Sequence, residues 1–201
     1  MFNLFKKKAP VIPPEVQFND WVKNGKPFPP PHIVKQNAIK EYGQAFSIKT
    51  LVETGTYLGE MVEAQLPNFE SIYSIELSEK LYKRGLKKFK NQPKVHLLQG
   101  DSGKVMRQIT SQLSAPALFW LDGHYSGGIT ALGDKECPVI EELNIITSDN
   151  IPHVILIDDA RLFVGANDYP RVEDILSFCK NTGFNYKLEN KDDILRLTPE
   201  R

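Results

Sequence analysis

Apolar runs and amphipathic stretches alternate along most of the chain. From His32 onward, short runs typical of buried strands are followed by segments with apolar residues at helical spacing. In the first such segment, Ile39, Tyr42 and Phe46 fall on one helical face. The pattern predicts strands over 50–54, 71–77, 94–99, 117–122, 153–158, 185–189 and 194–198. It predicts helices over 33–46, 60–66, 80–90, 102–113, 138–147 and 170–181.

This alternation is typical of a parallel sheet with helices on both faces. The segments Leu118–Leu121 and Val154–Ile157 are apolar throughout, as strands buried on two faces require. Only four residues, 190–193, separate the last two strands, which is too short for a crossover helix. The predicted fold class is therefore α/β, a doubly wound seven-stranded sheet with an antiparallel last strand.

Residues 1–31 differ from the rest. Half of the fourteen prolines lie between Pro10 and Pro31, and proline disfavours regular helices and inner strands. We expect an extended, proline-rich arm over 1–31, part of which docks through Trp21 and Phe28. A single domain would then span 32–201. Exchange of the arm between subunits would make a homo-oligomer.

Charge and cysteine usage exclude several classes of protein. The 201 residues carry 25 basic and 25 acidic side chains, so no whole-chain attraction to nucleic acid is expected. The basic stretch 80–90 is interpreted as a solvated helix face. The two cysteines, Cys137 and Cys179, fit a reducing compartment and a cytoplasmic location.

No apolar run is long enough for a signal peptide or a transmembrane segment. The start of the chain combines Phe2, Leu4 and Phe5 with three lysines at 6–8. This composition allows weak contact with an anionic membrane surface, but a frayed terminus is the favoured interpretation.

Ligands of doubly wound sheets bind beyond the carboxyl ends of the strands. The first predicted strand runs into residues 53–59, where Gly55 permits a sharp turn and Gly59 a close helix approach. The loop lacks the G-x-G-x-x-G spacing of a dinucleotide site. Its acid, Glu53, would repel phosphates and suits a ligand that carries positive charge. A tight strand–helix turn without a ligand is the structural alternative.

The next two strand ends are also polar. Glu76 lies at the end of the second strand, where an acid can accept both hydroxyls of a ribose. Asp101 and Ser102 follow the third strand and could border an adenine. Alternatively, Asp101 or Ser102 is a helix N-cap and Glu76 a solvated strand end.

Three aspartates end the fourth and fifth strands. Asp122, Asp158 and Asp159 should converge there because these two strands are expected to be neighbours. Three like charges held together need a cation or raise one another's pKa. A hard divalent ion such as Mg²⁺ fits such ligands. Capping or backbone hydrogen bonding by these aspartates is the alternative.

These motifs resemble those of a known family. The segment Glu53-Thr54-Gly55-Thr56-Tyr57-Leu58-Gly59 resembles the first motif of class I S-adenosylmethionine-dependent O-methyltransferases, closest to the catechol and caffeoyl-CoA type. Leu121-Asp122-Gly123-His124 and Ile157-Asp158-Asp159 resemble the metal-binding strand ends of that type and of macrocin-like sugar O-methyltransferases. The resemblance covers most of the chain beyond the arm and implies a Rossmann-like fold.

The resemblance also implies a role for each matching residue. It places S-adenosyl-L-methionine against a set of strand-end residues and a divalent metal, Mg²⁺ or similar, on three aspartates. The cofactor-binding residues would be Glu53, Gly55, Thr56, Tyr57, Gly59, Glu76, Asp101, Ser102 and Asp122. The metal ligands would be Asp122, Asp158 and Asp159.

The general base is less well defined by the motifs. The catechol type has a lysine where this chain has Tyr125, and the sugar type has an acid where it has His124. An imidazole titrates near pH ~6.5, close to the ideal for a base. His124 is thus the predicted base and Asp122 the second catalytic residue. Tyr125 or a metal-bound water remains an alternative base, and His124 could instead only pack the loop.

The predicted function is metal-assisted O-methyl transfer to a hydroxyl of a sugar, a glycan or another small metabolite. Two alternatives remain open at this point. One is a non-catalytic module that binds the cofactor, and the other is a nicotinamide-dependent oxidoreductase, against which the missing middle glycine argues.

Overall fold

A twisted sheet with helices packed around it forms the centre of the molecule. The computed structural model describes residues 12–123, 137–149, 151–180 and 184–200. The strands are β1 (Thr50–Thr54), β2 (Ser71–Glu76), β3 (Val95–Gln99), β4 (Leu118–Leu121), β5 (Val154–Ile157), β6 (Tyr186–Lys191) and β7 (Ile194–Pro199). The α-helices are α1 (Pro14–Lys23), α2 (His32–Ala45), α3 (Glu60–Gln65), α4 (Glu79–Lys88), α5 (Ser102–Val105), α6 (Arg107–Thr110), α7 (Val139–Ile146) and α8 (Val172–Lys180). A 3₁₀ turn covers Ala160–Leu162.

The strand order is β3-β2-β1-β4-β5-β7-β6. Strands β1 to β5 pair in parallel, and β7 runs antiparallel to both β5 and β6. The predicted seven-stranded α/β sheet with an antiparallel last strand is therefore confirmed. The hairpin turns through Asp192 and Asp193, whose positive φ values of 55° and 64° match a two-residue turn of type I′.

Two apolar cores lie on opposite faces of this sheet. Alternate residues of each strand point to opposite faces, so Leu118 and Trp120 join one core while Phe119 and Leu121 join the other. Side chains of α2 and α3 fill the first core, and those of α6, α7 and α8 fill the second. This burial on two faces explains the continuous apolar runs of β4 and β5.

The arm contains a helix, α1, so the expectation that residues 1–31 are extended is wrong for this segment. Its prolines are compatible with the helix because Pro13 is the N-cap and Pro14 the first helical residue, where a missing N–H costs nothing. Trp21 docks as predicted, with 5% exposure and an indole N–H that donates to the Pro27 carbonyl at 2.8 Å. Phe28 does not dock, since it is 62% exposed. The division of the chain at residue 31 stays a prediction.

Across the described ranges, none of the helices combines the length and the apolar character that crossing a membrane would need.

Replacement of Trp21 tests how firmly the arm belongs to the folded unit. We expect Trp21→Ala to lower the free energy of unfolding by about 3–5 kcal/mol, as for other large buried aromatics. Urea denaturation measures this. The exposed neighbour on the same helix supplies the control, and Val22→Ala should change stability by less than about 0.5 kcal/mol. Equal, small effects of both substitutions would mean that the arm is only loosely attached.

Candidate functional site

Polar residues collect where the parallel strands end. Thr54 of β1 is in register with Ile75 of β2 and with Leu121 of β4, and Leu121 is in register with Ile157 of β5. The residues that follow these positions therefore share one edge of the sheet. They include Glu76, Asp122 and Asp158.

The loop after β1 is held in a tight turn by two glycines. Gly55 has φ +84°, and a Cβ there would lie 2.4 Å from the backbone oxygen of Asp122. Gly59, at φ +70°, begins α3, and a Cβ there would meet the Phe89 ring at 2.7 Å. Between them, Tyr57 also has a positive φ of 49° and leaves 43% of its surface exposed. Only glycine fits the two tight positions, so the loop backbone lies against its neighbours without intervening side chains.

Glu53 is enclosed beneath this loop, with 1% exposure. Its Oε1 accepts a hydrogen bond from the Ser74 hydroxyl at 3.0 Å, and Ser74 and Thr56 share another at 2.6 Å. Its Oε2 has no hydrogen-bond partner among the described residues. Burial raises the pKa of Glu53 to about 8, helped by the charges of Asp122 and Glu76 and opposed by the Ser74 bond. A buried acid with an unpartnered oxygen is suited to receive a cationic group.

Glu76 is buried at the end of β2, so the alternative of a solvated strand end is wrong. Its Oε2 accepts the Tyr57 N–H at 2.7 Å and its Oε1 accepts the Ser78 N–H at 2.8 Å. Burial raises the pKa of Glu76, and these two bonds oppose the rise. Each carboxylate oxygen can still accept a further hydrogen bond.

Asp101 and Ser102 lie beside Glu76, because the Gly100 N–H after β3 donates to the Glu76 carbonyl at 3.0 Å. Asp101 is the N-cap of α5 and accepts the Gly103 N–H at 2.9 Å, as the structural alternative foresaw. Ser102 is buried. Capping does not exclude ligand contact, so their role toward a ligand stays a prediction.

Asp158 and Asp159 share a lysine from α2. The Lys35 ammonium donates a short hydrogen bond to Asp158 Oδ2 and lies 3.4 Å from Asp159 Oδ1. Burial disfavours its charge, but Asp158, Asp122 and Asp159 together outweigh this and raise the pKa of Lys35. All three predicted metal ligands therefore act on this one ammonium group.

A second cation completes the cluster. Arg161 donates to Asp159 Oδ1 at 2.8 Å and makes a short bond to Asp193 in the β6–β7 turn. Arg161 thus pairs with two carboxylates of the chain itself.

The predicted divalent metal does not fit this arrangement. Both oxygens of Asp158 are engaged, Oδ2 by Lys35 and Oδ1 by the Asp159 N–H at 2.8 Å. Over the ranges that the structure describes, no group of three or more His, Cys, Asp or Glu side chains could hold a metal ion. The sequence predicted a metal ion beside these carboxylates. In the structure the cation beside Asp158 and Asp159 is the Lys35 ammonium group.

Sequence reasoning missed Lys35, although a signal was present. Lys35 lies four residues before Ile39 and extends the helical stripe of Ile39, Tyr42 and Phe46 toward the start of α2. A lysine in line with inward-facing residues needs a buried counter-charge. Such a counter-charge at the sheet edge was already predicted in Asp158 and Asp159.

The predicted base, His124, and its alternative, Tyr125, lie outside the described residues. His32 begins α2, and its Nδ1 accepts a hydrogen bond from the Gln36 amide at 2.8 Å. Burial lowers the pKa of His32, against the raising effect of Glu60. His153 is enclosed, where it accepts the Ala117 N–H at 3.0 Å and contacts Asp149, and its role is structural.

A small recess lies beside Asp158, between the ends of β4 and β5 and the start of α7. Its volume is about 10 Å³, which is room for about one water molecule. Leu121, Ile157 and Phe163 line it with apolar surface, and Asp158 and Glu142 line it with carboxyl groups. It is smaller than most sites for drug-sized ligands.

Comparisons with known proteins identify the fold. The sequence matches no protein-family model and no curated protein. The structure is similar to an O-methyltransferase from Bacillus cereus in complex with S-adenosylhomocysteine, with a TM-score of 0.58 and 14% identity over 94% of this chain and 90% of that chain. It is similar to an S-adenosylhomocysteine-bound methyltransferase from Podospora anserina, with a TM-score of 0.55 and 16% identity over 98% and 92%.

A third similar structure is provisionally described as a caffeoyl-CoA O-methyltransferase from Staphylococcus aureus. Its TM-score is 0.59, with 13% identity over 94% of this chain and 92% of that chain. At such identities the likeness shows the fold alone, which is the Rossmann-like fold of these methyltransferases. It leaves the chemistry to be argued from the site.

Substitution of Gly55 tests the close approach of the loop. Gly25 supplies a matched control, because its φ of +79° is similar but no atom lies within 4 Å of an added Cβ. Gly25→Ala should cost about 1–2 kcal/mol, the usual penalty of the left-handed region. Gly55→Ala should cost clearly more, because the Asp122 carbonyl must also move. Equal losses in urea denaturation would contradict the tight contact.

The raised pKa of Glu53 predicts a specific pH dependence. The folded state keeps this proton up to about pH 8, whereas the unfolded state releases it near pH 4.5. The unfolded state thus binds fewer protons between these values, and stability should fall as pH rises through this window, by about 1.4 kcal/mol per unit.

In Glu53→Gln this fall should be absent, so the stability of the variant relative to wild type should improve from pH 5 to pH 8. The measurement is the free energy of unfolding in urea at several pH values. Glu70→Gln, which changes an exposed acid, should run parallel to wild type. Parallel profiles for Glu53→Gln as well would show that Glu53 titrates normally.

Proposed function

We propose that the protein is an S-adenosylmethionine-dependent methyltransferase that acts on a hydroxyl of a small acceptor, such as a sugar, a glycan unit or another small metabolite. One observation carries the proposal within a methyltransferase fold. The buried acid Glu53 has an unpartnered oxygen under a glycine turn and lies one strand away from a second buried acid, Glu76.

The chain's residues fit each part of this cofactor. The unpartnered Glu53 Oε2 suits the positively charged amino end of a methionine moiety. Gly55 lets the loop pack directly on the backbone of Asp122, because a side chain there would collide with the Asp122 carbonyl oxygen. Glu76 is positioned to accept two ribose hydroxyls, and its two backbone bonds hold the carboxylate in place. Thr56, Tyr57, Gly59, Asp101, Ser102 and Asp122 are proposed to line the remainder.

When bound, S-adenosylmethionine supplies a methyl group on a positively charged sulfur. The chain must then hold an acceptor oxygen in line with that methyl group and receive the hydroxyl proton. The acceptor is proposed to approach the sheet edge beside Asp158, where apolar side chains and carboxyl groups meet. His124 remains the proposed base, because an unperturbed imidazole titrates near pH ~6.5.

Metal assistance is left out of the proposal, because Lys35 lies on the carboxylates that would bind the ion. Cys137 and Cys179 are both buried, and neither is in a disulfide, which supports a reducing compartment and thus the proposed cytoplasmic location.

Cofactor binding by Glu76 tests the proposed function directly. Hydrogen bonds to a charged group contribute about 1.5–3 kcal/mol each. Glu76→Ala should therefore weaken S-adenosylhomocysteine binding by about tenfold or more in a calorimetric titration. Glu70→Ala removes an exposed acid just before the same strand and should bind like wild type.

NAD titrated into wild type serves as the comparison ligand. The proposal requires binding of S-adenosylhomocysteine and little or no binding of NAD, since the loop lacks the dinucleotide spacing. A wild-type protein that binds NAD and ignores S-adenosylhomocysteine would overturn it.

A further inference from the structure

We propose that Lys35 is the resident cation of the acceptor site and takes the place of a divalent metal, so that methyl transfer by this protein is metal-independent. The claim about methyl transfer rests on the proposed function. The geometric part, that Lys35 excludes a metal from the three aspartates, stands without it.

Lys35 occupies the position that a bound ion would need. Its ammonium group bonds Asp158 and lies 3.4 Å from Asp159, and its side chain is only 14% exposed. Asp122 is near enough to add to the same electrostatic effect. The lysine comes from the first turns of α2, which packs against the sheet through Ile39 and Ala38. The helix thus holds the charge at the strand ends through its own packing.

A divalent ion and the ammonium group cannot share these carboxylates. A metal needs oxygen lone pairs at about 2.0–2.6 Å. Asp158 uses one oxygen for Lys35 and the other for the Asp159 N–H, and Asp159 Oδ1 faces both Lys35 and Arg161. Entry of Mg²⁺ would place a double positive charge beside the ammonium group and break these bonds. Lys35 and Arg161 already compensate the negative charges of Asp158 and Asp159.

Lys35 acts through Asp158, which makes it a positioning residue. Asp158 lies at the sheet edge proposed for the acceptor, and the bond from Lys35 fixes its carboxylate there. The positive charge also offsets the repulsion that three neighbouring aspartates would otherwise exert on one another. In metal-dependent sites a divalent ion supplies this same charge compensation.

The first test measures Mn²⁺ binding to the wild-type protein by electron paramagnetic resonance of the free ion, with and without S-adenosylhomocysteine. We expect a dissociation constant weaker than about 1 mM, the weak end of protein sites for hard divalent ions. Binding clearly tighter than this in either condition would overturn the proposal. Because this measurement uses the wild-type protein, it tests the proposal even if a substitution prevents folding.

The second test uses Lys35→Met, which keeps the length of the side chain and removes its charge. Without the ammonium group the aspartate cluster, in which Arg161 still pairs with Asp159, should bind Mn²⁺ at least tenfold more tightly than wild type, and Mn²⁺ should raise the lowered melting temperature. Lys35→Arg keeps the charge and should behave like wild type in both measurements. Lys26→Met, which removes an exposed lysine paired with Asp192 at 3.0 Å, is the matched control and should gain no Mn²⁺ affinity.

A purely structural lysine would lower the melting temperature of Lys35→Met without any gain of Mn²⁺ affinity, and that result would overturn the proposal. Failure of the proposed function would instead appear in the S-adenosylhomocysteine titration. Since the Mn²⁺ measurements involve no methyl transfer, the two failures are distinguishable.

Discussion

Electrostatic repulsion at the carboxyl edge of the sheet is the constraint on which the rest of the site depends. Glu53, Glu76, Asp122, Asp158 and Asp159 all follow or end parallel strands, so the topology alone brings their charges together. The structure meets this constraint in two ways. Burial raises the pKa of Glu53, which keeps a proton, and Lys35 and Arg161 neutralise the aspartates.

These two solutions divide the edge into halves with different chemistry. On the β1–β2 side, a buried acid with an unpartnered oxygen and an acid held by backbone N–H groups offer acceptors to a cationic, hydroxyl-bearing ligand, and the cation would favour the ionised form of Glu53. On the β4–β5 side, ion pairs already satisfy the carboxylates beside a small apolar recess. The strand order changes direction between β1 and β4, which is where ligands of open α/β sheets bind.

Which site residues could be predicted from the sequence depends on how far apart the interacting residues lie along the chain. Gly55, Glu53 and Glu76 were found because strand ends share an edge whatever the helices do. Lys35 was missed because its partners are more than a hundred residues away, and the docking of α2 on the sheet cannot be read from local periodicity. The helix α1 was missed for a different reason. The proline rule was applied to the whole stretch, although Pro13 and Pro14 occupy positions that favour a helix start.

The contacts of Asp193 have a consequence for the order in which parts of the site form during folding. It lies in the turn between the last two strands, yet its carboxylate bonds Arg161 and its backbone oxygen accepts the Ala160 N–H at 2.8 Å. The ion network that begins with Lys35 on α2 is therefore completed only by a residue of the last hairpin. Strands β1 to β5 can pair before this hairpin forms, but until then the edge lacks its last anion. We expect the aspartate cluster to reach its final arrangement only once β6 and β7 have paired.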